Sequence, residues 1–289
     1  SRSARSVSLP APRTPPEMPG IAHRRLPATG RETAVIVEVP HASVYVPPEC
    51  LALMEAKAAA VGRDADLFVD VLYAEAPALG ATLLIAGFSR YVVDLNRGPT
   101  DVDEHTVLGT GFAVKAPRGV VWRLSGDNQK ILTRALTHAE FEERLRRYYL
   151  PYHQALDAEI ARKIEIFGHA IVLSGHSMPS VGGGPAPRPL RAEVVPGTQG
   201  RTTASAAVID GVDGEARRHG FVVIHDDPYR GGFVTKHHGR PREGVHAIQV
   251  ELSRRLYMDE ATLRPLEPGF SRVKALCSDF VRTLGRVTP

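Results

Sequence analysis

Cysteine is almost missing from this chain. Its two, Cys50 and Cys277, lie far apart and without the spacing of metal ligands, which excludes a disulfide scaffold and a thiolate zinc site and fits a reduced cytoplasm. Long apolar runs are missing as well. None approaches the roughly 18 residues of a membrane helix, and the N-terminus lacks the apolar core of a secretory signal, so the expectation is a soluble, cytoplasmic protein with no membrane partner. Aromatic residues make up only 6% of the sequence, and no stretch pairs a basic run with interleaved aromatics. Nucleic acid is therefore not an expected partner, and the scattered net charge of +4 suits a small anionic substrate instead. Nucleotide motifs fail too: there is no GxxxxGK(S/T) loop, and the GTGFAV of 109–114 follows no clear strand and completes no dinucleotide fingerprint. Ser177 lies in SGHSMPS, but a nucleophile elbow needs glycine two residues to either side, and Pro179 occupies the second position.

What is present is the composition of a globular chain with a sizeable core, 43% hydrophobic and 24% charged. Residues 1–30 are rich in Pro, Ser and Arg and are expected to form a tail, followed by a single domain over 31–289. No internal repeat and no second apolar unit argues for more. AVIVEVP at 34–40 has the character of a buried strand, the stretch 50–78 is mostly helical in pattern, and ATLLIAG at 81–87 and YVVDLN at 91–96 give two more strands. A helix is expected from about Asp127 to Gly168, interrupted at Pro151 because proline has no N–H to donate. Strands AIVLSG at 170–175, FVVIHD at 221–226 and AIQVELS at 247–253 follow, and Cys277 falls at apolar spacing in a C-terminal helix, as core rather than nucleophile. The stretch 177–201, with GGG at 182–184 and several prolines, has no periodicity and is expected to be a loop of the kind that covers active sites. This order of elements predicts an α/β fold, a mainly parallel or mixed sheet with helices on both faces.

Sheets of this type gather their sites at the carboxyl ends of the strands. His41 follows one expected strand, Asn96 and Arg97 end another, His176 follows a third and Glu251 ends a fourth. Two imidazoles and a carboxylate hold a catalytic zinc ion with one position open, and a further carboxylate activates the water that fills it. The acidic cluster DADLFVD at 64–70 can supply the carboxylate ligand. One divalent metal, zinc for preference, is the expected cofactor. Nothing in the pattern specifies an oligomeric state.

These residues lie in segments that resemble the N-formylglutamate amidohydrolase family, whose members are also called N-formylglutamate deformylases. The segments are VPHASVYVP at 39–47, DADLFVD at 64–70, LGATLLIAGFSRYVVDLNRGP at 79–99, PYHQAL at 151–156, GHSMPS at 175–180 and GGFVTKHHGRPREGVHAIQVELSRRLYMDE at 231–260. The resemblance spans nearly the whole domain. It implies removal of the formyl group from N-formylglutamate in histidine breakdown and a fold similar to that of zinc carboxypeptidases.

By the same resemblance the metal ligands are His41, Asp66 and His176. Val44 stands where zinc carboxypeptidases carry an acid three residues after the first histidine, so the acid comes from the 64–70 cluster. Asp66 is the choice, with Asp64 and Asp70 as alternatives, Asp70 being equally suited to orient a neighbour. Glu251 is the general base, Arg90 or Arg240 steadies the oxyanion, and His237 assists. Asn96 and Arg97 clamp the substrate α-carboxylate, with Arg240 also placed among the substrate contacts. A surface ion pair with Asp94 or Asp101 is the other role open to Arg97. The chain departs from the family at Ser174, where many members carry Asp, and at Thr198, Gln199 and Gly200, where they carry Asn-Asp-Gly. Two other functions fit the same residues: a carboxypeptidase-like enzyme on another small amide or peptide, and a non-catalytic protein that holds an acidic metabolite.

Overall fold

The computed structural model describes residues 21–109, 117–182, 189 and 192–289. Strands buried on both faces read as near-continuous apolar runs, and such runs build parallel sheet covered by helices. Four of them form the centre here, with every residue buried: β2 (Val35–Val39), β3 (Thr82–Ala86), β4 (Ala170–Met178) and β6 (Val245–Ser253). They run parallel to their neighbours, while β1 (His23–Leu26) and β5 (Val194–Gly197) close the two edges antiparallel, in the order β1-β3-β2-β4-β6-β5. The sheet is therefore mixed, as the pattern of elements implied. A two-stranded ribbon, β7 (Met258–Asp259) with β8 (Arg264–Pro265), stands apart.

Because strand side chains alternate between faces, β2 sends Val35, Val37 and Val39 into one core and Ile36 into the other. The first core is covered by α3 (Val69–Leu72), α6 (Ala206–Arg218) and α8 (Gly269–Leu284). The second is covered by α1 (Pro48–Leu51), α2 (Ala58–Asp64), α5 (Leu150–Phe167) and α7 (Phe233–His238). Large side chains such as Leu276, Phe280 and Leu156 are buried there, each contributing about 1.5–3 kcal/mol. No helix among the described residues is long and apolar enough to cross a membrane.

Several expectations from the sequence are corrected by the backbone. YVVDLN is buried but turns rather than extends, through Val92 N to Ser89 O at 2.9 Å and Arg97 N to Asp94 O at 3.3 Å. The free edge of β3 is taken by β1, so the segment expected to be tail contributes a strand; residues 1–20 lie outside the description. FVVIHD makes only an isolated bridge, Val223 to Val194. The 50–78 stretch breaks into α1, α2 and α3, with Phe68 in the left-handed region at φ 69° between the last two.

The long helix starts later than expected, with α4 (His138–Arg144). There Thr137 caps the chain in a reciprocal box with Glu140, at 3.2 Å and 2.8 Å. Pro151 does not interrupt it: a π-helical segment, Leu145–Tyr149, leads into α5, where Pro151 falls in the first turn and its missing N–H costs little. The stretch 177–201 holds the end of β4 and all of β5, while 183–188 and 190–191, like 110–114 of GTGFAV, lie outside the described residues.

Gly175 shows how tightly β4 is packed beside the site. A Cβ there would lie 2.7 Å from Cε2 of the fully buried Tyr73 ring. Gly175→Ala is expected to lower stability by roughly 1–3 kcal/mol, measured as a reduced denaturant midpoint. An unchanged midpoint would show that the ring yields freely.

Candidate active site

The carboxyl ends of β2, β4 and β6 meet at one edge of the sheet. His41 follows β2 by two residues, and parallel pairing places His176 of β4 directly beside Glu251 of β6. Asp66 arrives from the turn after α2, and its backbone N–H donates to the His41 carbonyl at 2.8 Å. That bond brings the acidic turn to the strand exit. Asp66 Oδ2 then lies 3.1 Å from His176 Nδ1 and 3.5 Å from His41 Nδ1, all three side chains being buried. Metal bonds of about 2.0–2.2 Å put tetrahedral donors roughly 3.4 Å apart, so these separations fit a divalent ion. His41 Nδ1 has no hydrogen-bond partner although it is buried, the condition of a lone pair kept for a ligand. Among the described residues one other grouping has metal-like spacing, Glu215, His219 and Asp279. Its carboxylates are taken up by Arg218, Thr283 and Arg282, and the His219 ring by Asp279.

The imidazoles are held from behind. His41 Nε2 is 2.8 Å from Asp94 Oδ1, which leaves Nδ1 facing Asp66. Asp94 Oδ2 accepts from Arg90 at 2.7 Å and from the Trp122 indole at 3.0 Å, and the Arg90 guanidinium lies 4.4 Å over the Trp122 ring. Burial would raise the Asp94 carboxyl, but Arg90 and His41 hold it well below the usual range. Asp66 Oδ1 accepts from Ser177 Oγ and from Arg254 Nη2, each at 3.2 Å. Arg254 was not among the residues expected from the sequence, and Asp94 entered only as a surface partner open to Arg97, whereas it is fully buried. Both sit inside the segments quoted above, but only the fold shows what they touch.

Asp66 is thus the acid that joins the histidines. Asp64 instead accepts from Tyr91 at 2.5 Å and from Gly126 N at 2.7 Å, and Asp70 sits on α3 away from the cluster. The Asn96 Nδ2 donates one hydrogen to Gln249 Oε1 at 2.9 Å and lies 3.4 Å from His176 Nε2, and its Oδ1 accepts from Val234 N at 3.1 Å. It braces the floor of the site. Arg97 gives Nε to the Arg118 carbonyl at 3.0 Å and makes no ion pair with Asp94 or Asp101 among the described residues. Arg240 is not at this edge. It pairs with Glu243 at 2.9 Å and bridges to Val245 at the start of β6, six residues and roughly 20 Å along the strand from Glu251. His237 is exposed, stacked on Phe233 at the far end of α7.

The family model described as N-formylglutamate amidohydrolase aligns with residues 33–258. The chain belongs to the N-formylglutamate amidohydrolase family. A curated N-formylglutamate deformylase of Pseudomonas aeruginosa is 30% identical over 234 residues, covering 78% of this chain and 82% of the relative. One of Pseudomonas putida is 28% identical over 68% of this chain and 72% of its own. The crystal structure of an N-formylglutamate amidohydrolase from Ralstonia eutropha superposes with a TM-score of 0.83 at 29% identity, over 92% of this chain and 98% of that one. A gene product of Agrobacterium tumefaciens, 21% identical with a TM-score of 0.68 over 92% and 95%, shares the fold. This member of the amidohydrolase family is therefore an enzyme that hydrolyses a carbon–nitrogen bond outside peptides.

The charges of the site predict its behaviour once chelated. Burial would raise the Asp66 carboxyl, but the hydrogen bond from His176 and the neighbouring His41 imidazole hold it well below the usual value. Burial would lower His176, yet Asp66 and Glu251 hold it above the usual value. The depressed acid stabilises above its unfolded pKa near about 4, and the raised histidine stabilises fully below about 6.5 and less as pH climbs through its folded value. Chelator-treated protein should therefore be most stable between those limits and melt at lower temperature at pH 9 than at pH 6. A melting temperature that rises over that interval would contradict the pairing.

Proposed function

We propose that the protein hydrolyses N-formylglutamate, or a closely related N-acyl amino acid, to formate and the free amino acid, with one divalent metal, zinc, held by His41, Asp66 and His176. The observation that carries this is the pairing of that ligand-shaped cluster with Glu251 on the adjacent strand, in a chain whose relatives are named for the deformylation. A divalent ion at these residues supplies Lewis acidity and brings water toward a pKa near 7. Glu251 takes the proton of the attacking water, the water oxygen bonds to the formyl carbon, and the carbon–nitrogen bond breaks as Glu251 passes the proton to the departing amine. Burial raises the Glu251 carboxyl above its usual value, against the pull of His176, which favours holding a proton between the two transfers. Arg90, fixed by Asp94 and Trp122, steadies the oxygen that becomes negative. With Asn96 engaged elsewhere and Arg240 at the opposite end, Arg97 is left to pair the substrate α-carboxylate. The work is assigned to a single domain over 31–289 and to histidine breakdown in the cytoplasm.

Formate release from N-formylglutamate, with metal content measured on the same samples, tests the proposal. Glu251→Gln should keep its metal and lose turnover by about 100-fold or more, whereas His41→Ala and His176→Ala should lose most of the metal. Full metal loading in both histidine variants would remove the ligand assignment. For the carboxylate contact, Arg97→Lys should reduce kcat/KM for N-formylglutamate far more than for its α-amide, because an ammonium cannot reproduce a two-point contact. Equal losses on the two substrates would place Arg97 in the fold instead.

A further inference from the structure

Glu38 is a charge-bearing side chain in the middle of a central strand, and the functions above leave it unexplained. It is fully buried on β2, with no ion pair among the described residues. Burying a carboxyl group without a cation is costly unless hydrogen bonds satisfy it. Two do. Tyr152 of α5 donates its hydroxyl to Oε2 at 2.5 Å, and Ser174 of β4, the register partner of Glu38, donates its hydroxyl to Oε1. Ser174 Oγ also lies 2.9 Å from His176 Nε2.

Counting protons decides the direction of this chain. The Tyr152 hydroxyl has one proton and gives it to Glu38, and the Ser174 hydroxyl has one and does the same. Ser174 Oγ is then left with lone pairs only, so its contact with His176 is attractive only when Nε2 carries the proton. A protonated Nε2 leaves the Nδ1 lone pair, which faces Asp66 at 3.1 Å, as the donor atom. The Asn96 amide gives one of its two hydrogens to Gln249 and its nitrogen is 3.4 Å from the same Nε2, so the shorter contact with Ser174, at 2.9 Å, sets the tautomer.

We propose that Glu38 and Ser174 are positioning residues of the metal centre: Glu38 orients the Ser174 hydroxyl, and Ser174 in turn fixes His176 with Nε2 protonated and Nδ1 presented as ligand. On the other side Asp94 makes the corresponding contact to His41 Nε2 directly; at His176 the carboxyl group acts at one remove. The proposal rests on the reading of His41, Asp66 and His176 as ligands, and its test separates the two.

The test measures the affinity of the purified protein for Zn2+ by competition with a chromophoric chelator, in the parent, Glu38→Gln, Ser174→Ala and the double variant. Each single change is expected to weaken Zn2+ binding by about 10–100-fold. Because Glu38 acts through Ser174, the double variant should lose no more than the worse single one, whereas independent effects would multiply. Ser174→Thr keeps the hydroxyl and should stay within a few-fold of the parent, and Tyr152→Phe, which removes the other bond to Glu38, should lower the melting temperature with little change in Zn2+ affinity. Multiplying losses, parent-like affinity in Glu38→Gln, or an equal loss in Tyr152→Phe would each overturn the proposal while leaving the metal centre in place. A parent that takes up no Zn2+ would overturn both. Should Ser174→Ala fail to fold, Glu38→Gln set against Ser174→Thr and Tyr152→Phe decides the matter.

Discussion

The division of one carboxylate organises this site. Asp66 gives Oδ1 to Ser177 and Arg254 and keeps Oδ2 for two imidazoles. A carboxylate in a buried setting has to be compensated, and here the compensation also sets direction, since one oxygen is occupied and the other is aimed. The turn that carries Asp66 is tied to the strand exit by a backbone hydrogen bond to His41, so two of the three clustered side chains are fixed relative to each other by main chain. An ion arriving at such a cluster has little left to order, and fixing the backbone of even one loose residue would cost about 1–2 kcal/mol.

The surrounding charges extend this arrangement outward in alternating sign. Arg90 balances Asp94, Arg254 balances Asp66, and Trp122 supports Arg90 and Asp94 together. Buried pairs of this kind contribute little net stability, because desolvation offsets much of the attraction, and removing one partner is expensive. Their value lies in placement. They leave Glu251, drawn upward by burial, beside carboxylates held well below the usual range.

Much of this was legible in the sequence, for physical reasons. Runs such as AVIVEVP and AIQVELS are buried on both faces, so their apolar continuity announced the strands, and the carboxyl-edge rule then placed His41, His176 and Glu251 together. YVVDLN carried the same apolar signal without forming a strand, because burial and not extension is what the pattern reports. Asp66 could be narrowed only to a cluster, since a turn rather than a strand delivers it. Arg240 and His237 came from a segment well matched to the family, yet nearness along the chain to Glu251 did not become nearness in space once β6 ran between them. Glu38 drew no notice in the sequence because one acid inside an apolar strand gives no hint of the Ser174 and Tyr152 hydroxyls that satisfy it.

The nine-residue register between β4 and β6, which aligns Ser174 with Gln249 and His176 with Glu251, also restricts how the family can vary in length. Strand side chains alternate, so inserting or deleting one residue upstream in either strand would exchange every inward group for its neighbour, putting Gly175 or Val250 where the chemistry is needed. Such changes would be lost at once. Insertions are free to accumulate only in the connections beyond the strand ends, and divergence in what these enzymes accept should be sought there and not in the sheet that holds the catalytic edge.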